Sequence, residues 1–121
     1  MNEVADKEFI HLKIHTQYSI CEGALRILDL AKHCKTNQIK AAGLCDSNNL
    51  CGSLEFSEFI AKSKTQPIIG TQINFKYKGI TGKIPLFAKD LEGYKNLIKL
   101  VKKYQNEEKI IFLFKSKRLW K

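Results

Sequence analysis

The sequence predicts an α/β fold of mainly parallel strands with outer helices. Two observations carry that expectation. Short apolar runs alternate with amphipathic stretches, in the order β-α-β-α-β-(β)-α, and such alternation favours parallel strands joined by helical crossovers. Each amphipathic stretch also keeps its apolar residues on one helical face. Three helices and four or five strands amount to about half of an eight-unit barrel. The 121 residues, 44% of them apolar, suffice for one modest domain with a core.

Residues 9–14 (FIHLKI) read as the first strand. A helix is expected over 24–35, because Ala24, Ile27, Leu28, Ala31 and Cys34 follow the i, i+3, i+4, i+7 spacing of one face. Residues 41–45 (AAGLC) make a short buried strand. A second helix over 53–63 turns Phe56, Phe59 and Ile60 inward. Strands follow at 67–75 and 84–88. Asp90 is placed to cap the third helix, with Glu92 in its first turn. Leu91, Tyr94, Leu97, Ile98 and Val101 are expected to face the core, and Lys95, Lys99 and Lys102 to form a solvated stripe. Gly52, Gly70 and Gly93 suit turns or close approaches better than phosphate loops.

The organisation expected is a polar extension at 1–8, a domain at 9–105 and a basic tail at 106–121. The tail holds an apolar run, IIFLF, with no later helix to cover it, so marginal stability or association is expected. Trp120 within it is read as incidental.

The formal charge is +9, and residues 91–121 hold eight Lys and one Arg against three Glu, a net of +6. Such a surface suits polyanions, although a solvated face would carry the same charge. No run of about 18 apolar residues could span a membrane. The first eight residues are polar and contain three acids, unlike an export signal, so a cytoplasmic location is expected. Cys21, Cys34, Cys45 and Cys51 form no CxxC pair and are expected to be reduced thiols, mostly small buried side chains. His33 is expected in solvent.

The chemistry centres on His11-Leu12-Lys13-Ile14-His15. On a strand, alternate side chains share a face, so His11, Lys13 and His15 project together. A His-x-His pair at a strand end is a natural metal clamp, but Lys13 cannot ligate while charged.

FIHLKIHTQYSICEGALRI resembles F-x-H-L-H-x-H-[ST]-x-[YF]-S-x-x-[DE]-G-A, the opening motif of the PHP (polymerase and histidinol phosphatase) domain of bacterial DNA polymerase III α subunits. AGLCDSNNLCGSLEF, PIIGTQINF and IPLFAKDLEGYKNLIKLVKKYQ resemble that family's next three blocks, in order, so the likeness covers residues 9–105. The resemblance implies the N-terminal portion of a distorted β/α barrel. It places family metal ligands at six positions here: Lys13, His15, Glu22, Ser47, Gln72 and Lys83. His15 and Glu22 keep a ligand type, and the other four do not. His11, Asp46 and Asn49 are retained neighbours within the motifs.

The expectation is therefore a chain that holds no metal and has no catalytic residue of its own. It would serve as a structural platform in DNA replication, contacting the rest of the α subunit, the proofreading exonuclease (ε) subunit and DNA, with no membrane partner. An ammonium of Lys13 or Lys83 would fill a lost ion's space and pair with Glu22 and Asp46. Two alternatives stand. One is a PHP phosphoesterase or 3′–5′ exonuclease using Zn²⁺, Mn²⁺ or Mg²⁺. The other is a basic nucleic-acid-binding module, whose binding would fall steeply with salt.

Overall fold

The structure, a computed structural model, describes residues 9–107. The elements run α1 (Ile27–Thr36), β1 (Ala41–Ser47), α2 (Ser53–Lys62), β2 (Gln66–Tyr77), β3 (Ile80–Phe87) and α3 (Leu91–Glu107). The extension 1–8 and most of the tail, including IIFLF and Trp120, lie outside the described residues.

The sheet has the order β1-β2-β3. β1 runs parallel to β2, from Ala41 opposite Gln66 to Ser47 opposite Gln72. The crossover between them is α2, the connection that parallel neighbours need. β2 and β3 are antiparallel, which corrects the expectation of mainly parallel strands. The cause is local. Lys78 (φ 46°) and Gly79 (φ 80°) form a two-residue turn with both φ positive, the geometry of a tight hairpin. The hairpin carries both strands past the ends assigned from apolar runs alone.

Residues 9–14 are not a strand. Ile14 makes one parallel bridge to Leu44, and Gly43 N–H donates to the His11 carbonyl at 2.7 Å. The segment then turns away at Thr16, whose N–H donates instead to Asp46 Oδ1 at 2.6 Å. A side chain of β1 thus takes the donor that a longer ladder would have used. Close passage of Leu12 explains Gly43: a Cβ there would lie 2.7 Å from the Leu12 Cα.

α1 starts at Ile27 rather than Ala24 because Leu25 is already engaged. It bridges Thr16, and its carbonyl accepts from Gln17 N–H at 2.9 Å. Ile27, Leu30, Ala31 and Cys34 of α1 pack with Ala42 and Leu44 of β1 and Phe56 and Ile60 of α2. A second, smaller cluster gathers Ile84, Leu86 and Leu100 around Ile73. The face assignments are corrected in part. Ala24 is exposed, and Leu28 (43%), Leu91 (68%) and Ile98 (45%) lie substantially in solvent. Leu30 and Leu100 take up core positions instead, since each apolar stripe is rotated relative to its expected face. Asp90 does cap α3, its Oδ1 accepting from Gly93 N–H at 2.8 Å.

Strand alternation sorts the sheet into two faces. Ala42, Leu44, Ile69, Ile73, Ile84 and Leu86 look toward the helices. By the same register Cys45, Ser47, Gln72, Asn74, Lys83 and Pro85 lie on the opposite face.

Candidate functional site

Five of the six expected ligand positions, all but Lys13, gather near the C-terminal end of β1, around the opposite face of the sheet. Ser47 ends β1 and stands opposite Gln72 on β2. Lys83 stands on β3 opposite Asn74, one pleat further along. His15 and Glu22 arrive from the turns that follow the Ile14 bridge.

Asp46 organises those turns and is fully buried. Its Oδ1 accepts from Thr16 N–H at 2.6 Å and from Ser19 Oγ at 2.7 Å, and its Oδ2 accepts from Thr16 Oγ1 at 2.7 Å. The Asp46 carbonyl in turn accepts from Thr71 Oγ1 at 2.8 Å. A buried carboxylate is tolerated when donors replace its hydration. Asp46 is therefore a bracket between the 16–19 turn and the sheet, unavailable to a lysine. Ser19 Oγ also accepts from Ser47 N–H at 3.1 Å and lies 3.4 Å from His15 Nδ1. Asn49 ties the next loop, donating to the Tyr18 carbonyl at 2.9 Å and accepting from Cys51 N–H at 3.1 Å.

Glu22 meets two of the substituted positions at once. Ser47 Oγ donates to Glu22 Oε2 at 2.5 Å, and Lys83 Nζ lies 3.6 Å from Glu22 Oε1. The Ser47 hydroxyl, followed by the nearby charges of Lys83 and His15, holds the Glu22 carboxyl below its usual range, against a desolvation that pushes the other way. So the lysine that pairs with Glu22 is Lys83. Lys13 is exposed and makes no ion pair with the described residues. His11 is also exposed, its ring edge-on to Phe9 at 4.6 Å between centroids.

Gln72 is 3% exposed, and its Oε1 has no hydrogen-bond partner among the described residues. An unpaired buried carbonyl of this kind costs on the order of 1–3 kcal/mol. Cys45 shares the face, fully buried, its thiol pushed up to about 11 mainly by that burial. Cys34 is buried too, while Cys21 and Cys51 are exposed.

Among the described residues, no three His, Cys, Asp or Glu side chains gather closely enough to hold a metal ion. The donor set agrees with that geometry. The acid best placed to ligate already has a hydroxyl on one oxygen and an ammonium near the other. Thr16 and Ser19, which build the Asp46 bracket, were not singled out from sequence, although both stand within the quoted T-x-Y-S block.

A family model described as the PHP domain matches residues 11–120. DNA polymerase III subunit alpha of Rickettsia felis is 46% identical over 94 residues, covering 77% of this chain and 8% of that protein. The corresponding protein of Aquifex aeolicus is 39% identical over 110 residues, covering 78% of this chain and 10% of that protein. The chain thus spans about a tenth or less of these relatives' length. A crystal structure from Bifidobacterium adolescentis, described as a metal-dependent phosphoesterase, superposes with a TM-score of 0.55 at 16% identity, covering 74% of this chain and 31% of that one. That likeness concerns the fold.

Proposed function

This chain belongs to the PHP domain family and is homologous to the PHP region of DNA polymerase III α subunits; we propose that it serves there as a scaffold that works without metal. Its place would be DNA replication. Its partners would be the remainder of the α subunit and the proofreading exonuclease subunit, with DNA beside them. The sheet would be the first part of a barrel, with the Ser47–Gln72–Lys83 face turned inward.

One observation carries the reading: Lys83 Nζ and Ser47 Oγ, both at family ligand positions, occupy the carboxylate of Glu22. An ammonium cannot ligate while charged, and a cation placed beside Glu22 would meet it head-on. Losing even one supporting partner costs a metal site 10–100-fold in affinity, and here four ligand positions are substituted. The pair does not need to be strong. Lys83 and Glu22 are 55% and 40% exposed at the side chain, so water screens them. What it supplies is charge balance on a face otherwise built for ions.

Elemental analysis of protein purified without chelator tests the proposal. We expect well under a tenth of an equivalent of zinc, manganese or iron per chain. Near-stoichiometric metal would overturn it and favour the phosphoesterase alternative. With the parent chain metal-free as expected, the set Lys13→His, Ser47→His, Gln72→Glu and Lys83→His should gain metal that the parent lacks.

A further inference from the structure

We draw no further inference here: the strongest candidate, the buried side-chain carbonyl of Gln72 in the Ser47–Gln72–Lys83 cluster on the open face of the sheet, belongs to the site already described, and nothing in the structure shows which donor meets it.

Discussion

Glu22 shows how one carboxyl comes to be set by two contacts distant in the sequence. Its carboxyl is held low first by the Ser47 hydroxyl and then by Lys83 and His15. Removing the hydroxyl in Ser47→Ala should therefore raise the Glu22 pKa more than Lys83→Met does. A carboxyl-carbon NMR titration reads both values. The reverse order would show that charge, not the hydrogen bond, governs the site. The sign for stability follows from the lowered value. The Glu22 contribution is present above its ordinary pKa of 4.5 and is lost as pH falls through the folded-state value. Asp46 could not have been assigned its bracket role from sequence. A carboxylate at a strand end reads equally as ligand or support, and only the approach of Thr16 and Ser19, some thirty residues away in the chain, decides between them.

At the level of elements, hydrophobic spacing located α1, β1, α2, β2, β3 and α3, because each buries a regular stripe or run. Their edges and stripe rotations were less legible, being set by partners distant in sequence. Leu25 is withdrawn from α1 by Thr16, and the first strand is cut short by Asp46 capturing that same residue. The hairpin had a local signal, the Lys78-Gly79 pair, that apolar runs overlook. Close backbone passage at the first segment gives an element-scale prediction. Gly43→Ala would set a methyl 2.7 Å from both the Leu12 Cα and its carbonyl oxygen. The fixed ladder on either side prevents an easy shift, so we expect a loss of about 1–3 kcal/mol in urea unfolding. An unchanged midpoint would show that residues 11–13 yield freely.

Over the whole molecule, thiol exposure reports how tightly the two sides of the sheet are closed. Cys21 and Cys51 are exposed, whereas Cys34 and Cys45 are buried with raised pKa values. A thiol reagent should label the first pair rapidly in native protein and reach the second pair only on unfolding. Fast labelling of all four would contradict this packing. Alkaline pH probes the same feature. The neutral Cys45 thiol is favoured by folding, so its contribution is intact below its ordinary value of 9.0 and fades as pH rises toward about 11. The loss is on the order of 3 kcal/mol at most, readable as a falling urea midpoint that a Cys45→Ala variant should show less.

The link between Lys83 and Glu22 has a consequence for the order of assembly. It joins a turn near the start of the chain to a hairpin formed more than half its length later. A contact of such wide separation requires a large loop to close, with little reward until both ends are already shaped. The helix-facing cluster and the local hairpin need shorter loops, so we expect the cation to settle against its acid late in folding. On brief local opening it would be among the first contacts to part, leaving the hydrophobic cluster intact.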